Sequence, residues 1–208
     1  MARKTKAEAL LTRQQIIDAA REVFHKHGVA RSSLEQVAST AGLTRGAVYW
    51  HFKDKAELFR AMREDVFEPM DQRLDAHLLT SRYADPLDAI EAALNELFVA
   101  LDECPVMRQI LEIMVLRCEY ADEFADVQPE VERPGQEFLE RLETAYKKAS
   151  VTRTLRSELD PFAVALDTWA FVGGLLHILL ARNFDKQITA QVRAMIAAHM
   201  SLRRHSGA

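Results

Sequence analysis

The 208-residue sequence predicts an all-α protein, on three observations. Apolar residues recur at helical spacing through most of the chain, and no run combines strict alternation with β-branched enrichment long enough to propose a sheet. Capping residues and prolines stand where such helices would open, at Asp54, Asp85-Pro86 and Asp160-Pro161. The composition, 49% hydrophobic and 28% charged with seven Gly and six Pro, is that of a soluble globular chain of one or two domains, which excludes collagen-like, low-complexity and disordered classes.

The first helix opens at a Thr5-x-x-Glu8 capping box, carries Ile16, Ala20, Val23 and Phe24 on one face, and ends before Gly28. The second opens at Ser32 or Ser33, turns Leu34, Val37 and Ala38 inward and stops near Ala41-Gly42. Thr44 caps a third through Trp50, and Asp54 caps a fourth that runs to about Leu79. Pro69 falls inside it, so either a bend near Glu68 to Met70 or a plain break is expected. Pro86 starts a helix with Ile90, Leu94, Leu97, Phe98 and Leu101 on one face, and Cys104-Pro105 separates it from another that reaches about Arg117. Further helices are expected from Pro134 to Lys148, from Pro161 to about Leu180 and from Thr189 to about Arg203, nine in all. The apolar stretch Trp169 to Ala181 falls short of the roughly 20 residues a bilayer requires, which favours a buried helix.

Net charge is −4, but it is unevenly spread. Residues 1–63 carry +6 and the remainder −10, the asymmetry expected when one end touches a polyanion and the rest stays clear of it. The two cysteines, Cys104 and Cys118, form no CxxC and suggest neither a disulfide framework nor a zinc site, and no apolar segment follows the charged N-terminus; a cytoplasmic protein is expected. Cys118, beside Arg117, is either a redox-sensing thiol or a small buried hydrophobe.

Ser32 to Phe52 has the form of a helix-turn-helix: two short helices, a tight turn at Gly42, small Ala38 where the helices approach, and Val37, Leu43 and Val48 to seal them. Thr44, Arg45, Tyr49 and His51 then point outward. Arg45 at the helix start suits guanine edges; Thr44, Tyr49, His51 and Lys53 suit phosphates; Lys55 adds charge; and Gly46 leaves room for close approach. A surface helix pair with solvated basic residues is the alternative on pattern alone.

The stretch from Ala30 to Leu58, ARSSLEQVASTAGLTRGAVYWHFKDKAEL, resembles the DNA-binding signature of the TetR family of bacterial repressors. The opening from Ala2 to Lys6, the Thr12-Arg13 pair and the run from Thr44 to Phe52 resemble its AcrR-type subgroup, the regulators of multidrug efflux pumps. The match covers about the first 60 residues. The resemblance implies a TetR-like homodimer, with a three-helix DNA-binding domain at residues 1–54 and a ligand-binding and dimerisation domain at 55–208. It also implies DNA contacts by Ser33, Thr44, Arg45, Tyr49, His51 and Lys55, with base and phosphate roles left open, and no cofactor.

The helix from Pro161 to Leu180 is apolar on nearly all sides, and Gly173-Gly174 favours close helix crossing. With the last helix it predicts a two-fold four-helix interface built from Phe171, Gly173, Gly174, Leu175, Val192, Met195 and Ile196; a purely intrachain core is the alternative. A ligand cavity is expected among Val66, Phe67, Met70, Ile90, Leu94, Leu97, Phe98, Leu111, Met114, Val115, Phe138, Leu142, Trp169, Val172 and His177, each of which could equally be ordinary core. Apolar Leu111 and Val115 favour a lipophilic or aromatic inducer, while Glu68, Glu112 and Glu119 could pair with a cation if they face inward. A fatty acyl thioester, a flavonoid-like compound or a quorum signal is the rival class of inducer. An enzyme is not supported: HExxH, GxSxG, a Gly-rich phosphate loop and a Cys/His metal cluster are all missing from the sequence.

Overall fold

The computed structural model describes residues 6–181 and 186–205. Thr5, and with it the expected first capping box, lies outside the described residues. Nine α-helices account for most of them: α1 (Lys6–His27), α2 (Leu34–Thr40), α3 (Arg45–His51), α4 (Lys55–Leu78), α5 (Pro86–Glu103), α6 (Pro105–Leu116), α7 (Gln128–Val151), α8 (Pro161–Leu180) and α9 (Lys186–Ser201). A 3-10 turn, Asp122–Val127, precedes α7, and the isolated bridge Leu155↔Arg204 is the extended pairing among the described residues.

Most expected boundaries hold, because the caps are real. Asp85 and Asp160 accept from the backbone N–H groups of Leu87 (2.9 Å) and Ala163 (2.8 Å), each with proline at the first helical position. Helix α4 is unbroken across Pro69, which excludes two separate helices there. Three expectations are corrected. Helix α7 begins six residues before Pro134, which therefore lies inside the helix and removes one hydrogen bond without ending it. Helix α9 begins at Lys186, before Thr189. The 3-10 turn was not expected; its signal is the apolar pair Phe124 and Val127, three residues apart and both buried.

Contacts divide the chain into two compact units, residues 1–67 with 106–128, and residues 68–105 with 129–208. This differs from a division at 54/55: the first half of α4 and nearly all of α6 associate with α1–α3. The first unit is built on Ile16, Phe24, Val37, Val48, Phe52 and Phe59, all at most 1% exposed. In the second unit, the core includes Leu87, Ile90, Leu94, Leu142 and Tyr146. The Tyr146 hydroxyl shares a hydrogen bond with Thr168 (2.8 Å), which also contacts His199 Nε2 at 3.1 Å. Arg204 pins the segment after α9 to α5 through Asp85 (2.9 Å), Asp88 (2.7 Å) and Glu91 (2.9 Å).

Helix α8 has the length and composition to cross a membrane, yet only 39% of it is buried within the chain. One side of it packs within the chain and the other does not. Val164, Ala165, Thr168, Val172 and Leu175 form its inner face, while Phe162, Leu166, Trp169, Gly173, Gly174 and His177 are exposed. Asp167 is set into the exposed side, where it pairs with Arg203.

Candidate nucleic-acid interface

The turn between α2 and α3 is closed at both ends by the residues the sequence singles out. Ser33, not Ser32, caps α2: its Oγ accepts from Gln36 N–H (3.2 Å), while Ser33 N–H donates to Gln36 Oε1 (2.8 Å). Ser32 Oγ instead donates to Gly28 O at 2.6 Å. At the other end Gly42 adopts φ +66°, and Gly42 N–H and Leu43 N–H return to Ser39 O (3.1 Å) and Ala38 O (2.9 Å). This is the two-bond helix ending that requires a left-handed residue, so a glycine is needed at this point. Thr44 then caps α3 by accepting from Ala47 N–H (3.2 Å). Gln15 Nε2 fastens α1 to the turn through Ala41 O (2.7 Å).

Val37, Val48 and Phe52 are buried behind this frame, so the opposite side of α3 is set outward as a rigid face. Thr44, Arg45, Gly46 and Tyr49 are exposed on it, and a Cβ added at Gly46 would meet nothing within 4 Å. Arg45 is already oriented: its guanidinium lies over the Tyr49 ring (5.1 Å), donates to the Tyr49 hydroxyl (3.4 Å) and pairs with Glu35 on α2 (3.0 Å). The Tyr49 contact and then Glu35 raise the Arg45 pKa. Glu35 is held below the usual carboxylate range, first by its own backbone N–H, then by Ser33 and, to a lesser extent, Arg45. Lys53 is exposed beside the face, and His51 is half-buried against Trp50, ring centroids 4.5 Å apart and edge-on.

Lys55 stands differently from the rest. Its ammonium donates to Val29 O (3.3 Å) and Ala30 O (3.4 Å) and lies 5.8 Å from the Phe124 ring, so it braces the segment entering α2. Two residues without an assigned role also belong to the face or its support. Trp50 is 73% exposed beside Tyr49 (43%), and Arg13 on α1 lies over the Phe52 ring at 5.2 Å. For Trp50 the available signal is a large aromatic side chain one position beyond Tyr49, away from buried Val48.

Residues 16–62 match the family model described as bacterial regulatory proteins, tetR family. Over 187 residues the chain is 35% identical to the HTH-type transcriptional regulator TtgR of Pseudomonas putida, an alignment that covers 89% of each chain. The chain belongs to the TetR family. Among solved structures, the TetR-family protein NalD of Pseudomonas aeruginosa, described as the secondary repressor of the MexAB-OprM multidrug efflux pump, superposes with a TM-score of 0.84 at 31% identity, covering 97% of this chain and 100% of that one. SmeT in complex with triclosan superposes at 0.81 and 32% identity over 95% and 93% of the two chains; SmeT is described as the repressor of the Stenotrophomonas maltophilia pump SmeDEF. TetR-family members are DNA-binding regulators, and this chain is therefore a transcriptional regulator and not an enzyme.

The residues expected to bind ligand or to pair subunits are distributed across the TetR fold as follows. Val66, Phe67, Leu111, Met114 and Val115 belong to the first unit; Met70, Ile90, Leu94, Leu97, Phe98, Phe138, Leu142, Trp169, Val172 and His177 belong to the second. Most are buried or half-buried; Val115 (47%) and His177 are exposed, and Trp169, 42% exposed, lays its indole against Gly135 of α7, where an added Cβ would meet Nε1 at 3.4 Å. His177 shares the outward side of α8 with Leu166, Gly173 and Gly174. Of the expected interface residues, Leu175, Val192 and Ile196 are buried in their own unit and are corrected to intrachain core. Gly173, Gly174 and Met195 are exposed and Phe171 is half-buried, its ring stacked on His199 with centroids 4.0 Å apart. Glu112 does not await a cation, because it already pairs with His25 at 2.5 Å. Burial pushes the Cys118 thiol up to about 11, which removes the thiolate that redox sensing requires.

Proposed function

We propose that this chain is a ligand-responsive repressor of a multidrug efflux operon, of the RND type, in the bacterial cytoplasm. The observation that carries this is the outward face of α3: Thr44, Arg45, Gly46 and Tyr49 stand exposed on a helix capped at its start and locked to α2, within a segment of net charge +6. Likeness over nearly the whole chain to the efflux-pump repressors NalD and SmeT supports the choice of operon.

In this reading residues 1–54 hold the DNA. Arg45 reads a guanine edge as a planar fork, a geometry lysine cannot supply, while Ser33, Thr44, Tyr49, His51 and Lys53 meet phosphates, and Lys55 adds charge while bracing the α2 entry. Two copies pair through the exposed faces of α8 and α9, with Phe171, Gly173, Gly174 and Met195 in the contact. Their recognition helices then stand about 34 Å apart, one turn of a palindromic operator. Residues 55–208 bind the inducer, a lipophilic or aromatic molecule held by apolar side chains such as Met70, Leu94, Phe98 and Phe138 of the second unit. The inducer lowers DNA affinity only to the extent that it prefers the non-binding arrangement.

The test is a gel-shift titration against the DNA upstream of the protein's own gene and the divergent neighbour, with and without a panel of aromatic antimicrobials that includes triclosan. Specific binding, released by one compound class and lost in Arg45→Ala with Tyr49→Ala while helicity is kept, is the expected result. Binding indifferent to the panel refutes the efflux assignment, and undiminished binding by the double variant refutes the assignment of α3.

A further inference from the structure

Helix α6 is fastened to the DNA-binding helices by three contacts that run in the same order along both partners. Arg21 Nε donates to Gln109 Oε1 (3.0 Å), His25 Nε2 donates to Glu112 Oε2 (2.5 Å), and Val29 N–H donates to Arg117 O (3.0 Å). Arg21, His25 and the Gly28-Val29 turn recur at the spacing of one helix face, so α1 presents a continuous edge to α6. The central pair is mostly shielded from solvent, with side-chain exposures of 20% for His25 and 14% for Glu112. A charge-assisted hydrogen bond gains strength from such shielding.

The last contact falls on the turn that leads into the helix-turn-helix. Gly28 has φ +80°, and a Cβ there would sit 3.4 Å from Arg117 O, so glycine permits both the turn and the approach of the end of α6. Ser32 Oγ bonds Gly28 O, Lys55 bonds the next two carbonyls, and Ser33 then caps α2. Any displacement of α6 along α1 therefore strains the residues that set where α2 begins. Buried Leu111 and Met114 lie on the same α6 as Gln109 and Glu112.

We propose that His25 and Glu112 form a latch through which α6 holds the helix-turn-helix in its DNA-binding arrangement. Both are positioning residues: neither belongs to the outward face of α3. The proposal rests on the DNA-binding reading above.

The test uses the full chain and a fluorescent duplex carrying the promoter segment that the wild type protects. Affinity is measured by anisotropy for His25→Gln, Glu112→Gln, their combination, the exchanged pair His25→Glu with Glu112→His, and Arg45→Ala. Hydrogen exchange over residues 106–117 is followed with and without duplex. Each single variant is expected to weaken binding by about tenfold. The combination should be no weaker than the singles, and the exchanged pair should return to within about twofold of wild type. Amides of α6 should gain protection on duplex binding in the wild type and lose that gain in Glu112→Gln. Folded single variants with unchanged affinity, or effects that add in the combination, overturn the latch. If the variants fail to fold, wild-type α6 amides indifferent to the duplex overturn it. Undiminished binding by Arg45→Ala would instead refute the DNA-binding reading on which the latch depends.

Discussion

Ser33 holds two roles that one substitution series can separate. Its Oγ and N–H form a reciprocal pair with Gln36, so Ser33→Ala removes both the side-chain acceptor and the geometry that orients Gln36. Loss of such a cap costs about 1 kcal/mol, within a range of roughly 0.5–2 kcal/mol. For a chain of this size that is a fall of about 2–4 °C in Tm. Helix α2 has only seven residues, so the loss should be local and visible as faster amide exchange at 34–37. Ser33→Asp keeps an acceptor at the same position and places a negative charge at a helix start, where the aligned peptide dipoles favour it. Its stability should therefore equal the wild type's, yet the added carboxylate would face the phosphates, and operator affinity should fall by about tenfold or more at low salt. Thermal unfolding and anisotropy on the same two variants make the test. Unchanged stability in Ser33→Ala would refute the cap, and full operator affinity in Ser33→Asp would refute the contact.

Burial lowers the His199 pKa from 6.5 to about 4, with Arg203 assisting, so the folded chain holds this imidazole neutral. The stability it contributes is complete above the unfolded value of 6.5 and is lost as pH falls toward 4; His199→Gln should flatten urea midpoints across that window. Tyr146→Phe leaves Thr168 with His199 alone and should lower stability by about 1–2 kcal/mol, read by denaturant titration. Arg204→Ala leaves Asp85, Asp88 and Glu91 facing one another without their shared cation. Its Tm should fall at low salt and recover substantially in 1 M salt; a salt-independent loss would mean that packing, not charge, is what Arg204 supplies.

The outward face of α3 is legible in the sequence because its determinants are local. Ser33, Gly42 and Thr44 fix caps and a turn within a few residues of themselves, and Val37 and Val48 follow from a clean period. The faces of α8 were not legible, for a physical reason: apolar residues surround the helix, so periodicity points in no direction. What selects the inner face is Thr168, a polar residue made compatible with full burial by the hydroxyl of Tyr146, 22 positions earlier. A reading that assigns exposed apolar contact by hydrophobicity therefore took Leu175, Val192 and Ile196 outward when they complete that core. The α6 contacts are hidden for a different reason: Arg21 and Gln109 are 88 positions apart and neither residue type announces a partner.

The division of contacts sharpens what a signal in this fold must do. The chain passes from one unit to the other at 67/68, 105/106 and 128/129, and each passage lies within two residues of a proline, Pro69, Pro105 or Pro129. Of these only Pro69 lies inside a helix and removes one helical hydrogen bond; Pro105 opens α6 and Pro129 stands in the first turn of α7, where the missing N–H has no acceptor to lose. Within the first unit α6 is bonded to α1 by side chains, through Arg21–Gln109 and His25–Glu112, and the residue after it is bonded by backbone to the turn at Val29. Because these contacts converge on the turn before α2, the His25–Glu112 pair, far from the α3 face in sequence, should govern how tightly that face holds DNA.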